Sequence, residues 1–127
     1  MSRILVVDDD DDLVRIFSYR LQQDGYDVSS ASTGAQALEA LLREPPDLVF
    51  LDLGLPRGNG FQVLEKVRAT PRLSGVPVIV LSGNAEPAYR DRAVKAGADR
   101  FFPKPSDLTD LLVAARELLA RATPHPG

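Results

Sequence analysis

The chain has 127 residues, a formal net charge of -3, 44% hydrophobic residues and 26% charged residues, and no cysteine. That length supports one domain around a single substantial core, and the composition excludes disordered and fibrous classes. The negative balance, with no cluster of Lys or Arg, disfavours direct nucleic-acid binding, and the lack of cysteine rules out a disulfide framework or a thiolate metal site. The single histidine, His125, falls in the tail. The few apolar residues before the first acidic run fall short of a secretory signal, and no run of 18 apolar residues occurs. A cytoplasmic protein with no membrane span is therefore expected.

In chain order, "RILVV" (3–7) predicts a first strand, and Leu13, Ile16, Phe17 and Leu21 recur at helical spacing behind it. "DVSSA" (27–31) predicts a second strand, followed by a helix through Ala37, Leu38, Leu41 and Leu42. "DLVFL" (47–51) is the third strand, with Phe61, Leu64 and Val67 marking its helix. "VPVIVL" (76–81) is the fourth, followed by Ala93, Val94 and Ala96. "RFF" (100–102) is the fifth, and the pattern from Leu108 to Leu119 is the clearest helix of all. Gly25, Gly34, "RGNG" (57–60) and Gly97 supply turns, and Pro45, Pro46, Pro71 and Pro87 stop helices from running on. Strands 1, 3 and 4 are apolar nearly throughout, as in a parallel sheet covered on both faces. The expectation is an open, doubly wound α/β sheet of five β/α units over residues 1–122, with a flexible tail at 123–127.

In such sheets a ligand site lies beyond the carboxyl ends of the strands. Asp8 and Asp9 follow strand 1, Asp52 follows strand 3, Ser82 and Gly83 follow strand 4, and Lys104 follows strand 5; the opposite edge shows no comparable set. Each residue alone has an ordinary explanation, such as surface, turn or cap. Asp10, Asp11 and Asp12 are accounted for in that way, one capping the first helix and the others in its first turn, where the macrodipole favours negative charge. The conjunction of the rest points to phosphoryl transfer onto a carboxylate. Clustered Asp8, Asp9 and Asp52 repel one another unless a hard cation lies among them, and magnesium suits carboxylate, carbonyl and phosphate oxygens. Lys104 adds a monovalent positive charge, and Ser82 with the Gly83 amide can donate to the remaining phosphoryl oxygens.

Taken together, "ILVVDD", "DLVFLDLGLP", "GNGF", "VIVLSG", "AGADRF" and "KP" resemble the receiver domain of two-component response regulators, over roughly residues 3–121. The resemblance implies a flavodoxin-like strand order 2-1-3-4-5 and a stand-alone, chemotaxis-regulator-like signalling switch. By that resemblance Asp52 is the phosphoacceptor, charged by a sensor histidine kinase, a phosphotransfer protein or a small acyl phosphate. Asp9 and Asp52 ligate Mg2+ directly, Asp8 through water, and Gly54 through its backbone carbonyl. Ser82 and Phe101 form the switch: Ser82 moves toward the phosphoryl group and Phe101 rotates into the vacated space. Pro105 implies a cis peptide aiming Lys104 inward. The output is an altered helix 4/strand 5/helix 5 surface read by an unknown protein target, in a monomer or a phosphorylation-dependent dimer. Such a phosphoacceptor catalyses only its own phosphorylation and dephosphorylation.

Two positions, Gly54 and Ser106, depart from the family pattern. Gly54 lacks a side chain that would shade the phosphoryl group, implying fast self-dephosphorylation. Ser106 stands where an aromatic often follows the Lys-Pro pair, and Asn84 neighbours the site with no role assigned. A receiver excised from a longer regulator or a hybrid kinase is the main alternative. A haloacid-dehalogenase-like phosphatase is disfavoured because its Asp-x-Asp-x-Thr/Val pattern fails here, with Asp12 or Leu13 at the last position. A nucleotide binder is disfavoured by five carboxylates where amides would cradle phosphate. An EF-hand loop fails because Leu13 and Tyr19 occupy its glycine and glutamate positions.

Overall fold

In the computed structural model, which describes residues 2–56, 59–84 and 86–122, strands and helices alternate along the chain. They are β1 (Arg3–Val7), α1 (Asp11–Gln23), β2 (Asp27–Ala31), α2 (Gly34–Arg43), β3 (Leu48–Asp52), α3 (Asn59–Ala69), β4 (Val78–Ser82), α4 (Pro87–Lys95), β5 (Arg100–Pro103) and α5 (Leu108–Ala122). All ladder pairings are parallel, in the order β2-β1-β3-β4-β5, the flavodoxin-like order expected. The tail at 123–127, with His125, and Arg57 and Gly58 of the expected turn lie outside the described residues.

Strand parity divides the core. Leu5, Val7, Val49, Leu51, Val78 and Val80 point to the face covered by α2, α3 and α4. Ile4, Val6, Leu48, Phe50, Ile79 and Leu81 point to the face covered by α1 and α5. Every residue of β3 and β4 is buried, which explains why those strands are apolar without alternation. The edge strands β2 and β5 are only partly buried, and they owe their assignment to turn signals on either side.

Two strands start later than their apolar runs. Val76 belongs to a turn, its N–H donating to the Leu73 carbonyl, and Pro77 has no N–H to give a ladder. Asp47 bonds both ways to Arg3, through its N–H to the Arg3 carbonyl and through its carboxylate to the Arg3 N–H, each at 2.7 Å, so it closes the corner ahead of β3. At the other end β3 runs one residue further, because Asp52 pairs with Leu81 in the ladder. Asp52 is therefore carried by the central strand of the sheet and not by a loop.

The edge of the sheet opposite the predicted site is also polar. Arg68 at the end of α3 donates to the carbonyls of Gly97, Ser74 and Val76 and to the Asp99 carboxylate, which in turn accepts the Val78 N–H at 2.8 Å. Gly97, at φ +113°, lies against this side chain, and an added Cβ would sit 2.6 Å from Arg68 Cγ. This clamp ties α3 to the starts of β4 and β5 and corrects the expectation that only one edge is polar.

Phe50 is fully buried and meets Phe17 edge-to-face, with ring centroids 4.5 Å apart. Phe50→Ala is expected to destabilise the fold by about 3–5 kcal/mol, measured as a lower urea midpoint with unchanged m-value. A loss under 1 kcal/mol would show that this face of the sheet is not closely packed.

Candidate functional site

The carboxyl ends of β1, β3, β4 and β5 converge. Asp8 is the first residue past β1 and Asp52 the last of β3; both are buried, at 1% and 3% exposure, while Asp9 is exposed. One carboxylate oxygen from each of Asp8, Asp9 and Asp52 lies within 4.8 Å of the others. Lys104, just past β5, reaches across the edge: its Nζ stands 3.0 Å from Asp8 Oδ2 and 3.3 Å from Asp52 Oδ2. The Lys104–Pro105 peptide is cis.

The remaining carboxylate oxygens are held by the backbone. Asp10 N–H donates to Asp8 Oδ1 at 2.9 Å, and Gly54 N–H donates to Asp52 Oδ1 at 2.7 Å. Asp10 caps α1 by accepting the N–H groups of Asp12 and Leu13, with Asp11 and Asp12 in the first turn. The acidic run therefore divides as expected, three residues serving the helix and two the cluster. Behind Asp52, Gly60 is needed for close approach: an added Cβ would lie 2.6 Å from Leu53 Cα and 2.7 Å from the Asp52 carbonyl oxygen. Position 54 overhangs the cluster, since a Cβ there would lie 3.1 Å from Asp52 Oδ1.

Burial pushes the Asp8 carboxyl above its ordinary range and the Asp52 charge adds to the push; the Asp10 N–H and the Lys104 ammonium oppose it without cancelling it. For Lys104, burial works against the charge, but the Asp8 hydrogen bond and the Asp52 and Asp8 charges outweigh it, so the ammonium is held above its usual value. Lys104 is thus a fixed cation near neutral pH.

Ser82, the last residue of β4, is buried at 1% exposure. Its Oγ faces its own loop, accepting the Asn84 N–H at 3.0 Å and donating to the Asn84 carbonyl at 3.2 Å. The Asn84 side chain accepts the Glu86 N–H at 3.0 Å, at the entry to α4, where Glu86 is the N-cap and makes no side-chain cap bond. This places Asn84, left without a role by its residue type, between Ser82 and helix α4. Gly83 is exposed, and a Cβ there would meet nothing. Phe101 on β5 is half-buried, with the Arg90 guanidinium 5.8 Å from its ring centroid. Tyr89 packs edge-to-face on Phe61 at 5.3 Å, and Arg92 covers the same ring at 3.8 Å.

A family model described as "Response regulator receiver domain" matches residues 4–116. The curated "Transcriptional regulatory protein KdpE" of Mycobacterium tuberculosis is 40% identical over 97% of this chain and 53% of its own length. The "DNA-binding dual master transcriptional regulator RpaA" of Synechocystis is 34% identical over 99% of this chain and 52% of its own. Among solved structures, a CheY-like receiver domain protein from Methanospirillum hungatei superposes with a TM-score of 0.89 at 31% identity, covering 96% of both chains. The chain belongs to the receiver domain family of two-component response regulators. It spans about half the length of these curated relatives. Among the described residues no helix is long and apolar enough to cross a membrane.

The cluster fits the divalent cation that the family implies. Three carboxylates face one ammonium, two of the three are buried, and the donor set is all oxygen. Because the Asp8 pKa is raised, the stabilising contribution of its protonated form is complete below the ordinary carboxylate range. That contribution is lost as pH rises through the raised value, so the metal-free protein bears the cost of Asp8 as it ionises. Two results are expected in calorimetric melts: Mg2+ raises the melting temperature at pH 7.5 with a gain that shrinks as pH falls into the carboxylate range, and Asp8→Asn raises the metal-free melting temperature at pH 7.5. A gain independent of pH would show that these carboxylates do not take the ion.

Proposed function

We propose that this chain is a phosphorylation-dependent signalling switch that accepts a phosphoryl group on Asp52 in a Mg2+-dependent step. The donor is the phosphohistidine of a sensor histidine kinase or phosphotransfer protein, or a small acyl phosphate. A carboxylate oxygen of Asp52 forms the new bond to phosphorus as the donor's P–N bond (P–O for an acyl phosphate) breaks, and the electron pair leaves with the donor, giving an aspartyl phosphate. The observation that carries this reading is the Lys104 ammonium held between buried Asp8 and Asp52 beside Asp9.

Each residue has a distinct task. Asp8, Asp9, Asp52 and the Gly54 carbonyl would hold the cation, which when bound neutralises charge on the phosphoryl oxygens. The backbone bonds from Asp10 and Gly54 aim Asp8 and Asp52. Lys104 pairs with an incoming phosphoryl oxygen with little rearrangement, since its ammonium already lies 3.3 Å from Asp52. Ser82 and the Gly83 amide donate to the remaining oxygens. The Ser82 hydroxyl must first leave Asn84, and Phe101 then has space to turn inward, altering the α4/β5/α5 surface that a partner protein reads.

The protein acts stoichiometrically, in the cytoplasm, turns over no phosphate ester, and hydrolyses only its own aspartyl phosphate, a mixed anhydride. Net charge and the absence of a basic run in the sequence support an output through protein contacts made by this unit. The printed names of its relatives describe transcriptional and DNA-binding regulators about twice its length, so a DNA-binding partner domain in a longer chain is the second reading that a specific observation favours.

Acetyl phosphate with Mg2+ should add one phosphoryl group per chain, seen by intact-mass spectrometry, and Asp52→Asn should add none. Persistent labelling of Asp52→Asn would move the acceptor elsewhere. Because position 54 overhangs the acceptor oxygen without a side chain, Gly54→Met is expected to lengthen the aspartyl-phosphate lifetime several-fold, followed by loss of label over time. An unchanged lifetime would remove Gly54 as a control on hydrolysis.

A further inference from the structure

The edge strand β5 carries Lys104 just past its carboxyl end, yet no residue of β5 is fully buried. Register is strongly specified where one face of a strand is buried and weakly where none is, so burial alone does little to fix the pairs from Ile79↔Arg100 to Ser82↔Pro103. The reach of Lys104 depends on those pairs. A slip of one residue moves a strand by about 3.3 Å and turns its side chains to the other face. The Lys104 ammonium, now 3.0 Å from Asp8 and 3.3 Å from Asp52, would lose both partners.

Bonds at the two ends of the pairing hold this register. At the site, the Lys104 N–H donates to the Ser82 carbonyl at 2.8 Å. At the opposite edge Asp99 grips Val78 twice: its N–H donates to the Val78 carbonyl at 2.9 Å, and its carboxylate accepts the Val78 N–H at 2.8 Å. The Arg68 guanidinium then spans the two strand starts. It donates to the Val76 carbonyl ahead of β4 at 2.6 Å, to the Gly97 carbonyl ahead of β5 at 2.8 and 3.0 Å, and to the Asp99 carboxylate at 2.9 Å. Its planar fork thus ties the starts of β4 and β5 to each other as well as to α3.

We propose that Arg68 and Asp99 are positioning residues for phosphoryl acceptance: by locking the β4/β5 register they place Lys104 against Asp8 and Asp52, acting along β5 from about 16 Å away. This inference rests on the reading of Asp52 as phosphoacceptor and Lys104 as the partner of the phosphoryl group, so the lock is tested first on the unphosphorylated protein.

Amide hydrogen exchange followed by NMR reads the lock. In Arg68→Met the Lys104 amide is expected to exchange about tenfold faster or more, once rates are normalised to the amides of β1, which lies between β2 and β3. A loss of stability alone would speed both sets equally. Labelling by acetyl phosphate with Mg2+ is expected to slow about tenfold or more in Arg68→Met. The same substitution in a Lys104→Ala background should slow it no further, because the two act as one unit. Arg68→Lys, which keeps the charge and loses the fork, takes the place of Arg68→Met should that variant not fold. Unchanged normalised exchange at Lys104, labelling at the wild-type rate, or equal slowing with and without Lys104 overturns the proposal. A wild type that takes no label overturns the phosphoacceptor reading instead, and the exchange rates then decide the lock alone.

Discussion

The mutual repulsion of carboxylates held at one edge of the sheet is the constraint on which the site depends. Asp8 and Asp52 are themselves buried at the ends of β1 and β3, where water cannot screen them well, and Asp9 adds a third negative charge at the surface. The fold meets this with fixed donors: two backbone N–H groups and one ammonium. Lys104 alone leaves the cluster with an excess of negative charge. That excess, on an all-oxygen donor set, suits a small, hard dication. The same group of side chains would be a poor place for any neutral ligand.

Rigidity explains how such a cluster survives. Asp52 is not on a loop but in the last ladder pair of β3, opposite Leu81, and the chain beyond it is pinned by Gly60 packing onto the Asp52 carbonyl. At the far edge the Arg68 clamp joins the end of α3 to the starts of β4 and β5.

Much of this was legible in the residues because a parallel sheet sends every strand's carboxyl end to one edge. Once five β/α units were recognised, Asp8, Asp9, Asp52, Ser82 and Lys104 had to be neighbours. The sequence pattern starts β3 and β4 one and two residues early: Asp47 turns the corner ahead of β3 through its bonds to Arg3, and the apolar run begins at Val76, which sits in a turn, and Pro77, which has no N–H. The Arg68 clamp was not legible: its partners Gly97 and Asp99 are 29 and 31 positions away, and no local spacing marks an arginine that will find carbonyls after folding. The direction of the Ser82 hydroxyl was equally hidden, because a serine at a strand end serves its own loop or a ligand with the same composition. Tyr89 packs edge-to-face on Phe61, an aromatic contact that residue type alone does not determine.

The side of the molecule that the switch would move is also the side with least to hold it. Of α4 only Ala93 is buried, Tyr89 is partly so, and Val94 is 54% exposed, whereas α3 buries five residues. Asn84 connects the Ser82 hydroxyl to the first turn of this helix through one backbone pair and one side-chain bond. A hydroxyl drawn toward a phosphoryl group must break that pair, and the helix entry it supports has no side-chain cap of its own to replace it. Neutral hydrogen bonds of this kind contribute about 1 kcal/mol each, small against a charge-assisted bond to a phosphoryl oxygen. Under the proposed reading the balance therefore tips toward α4 on phosphorylation, while the Arg90 guanidinium over Phe101 opposes the ring's inward turn. Under that reading the strength of the switch is set by weak local contacts at the edge of the site, and the strong contacts within it determine only whether phosphate is accepted.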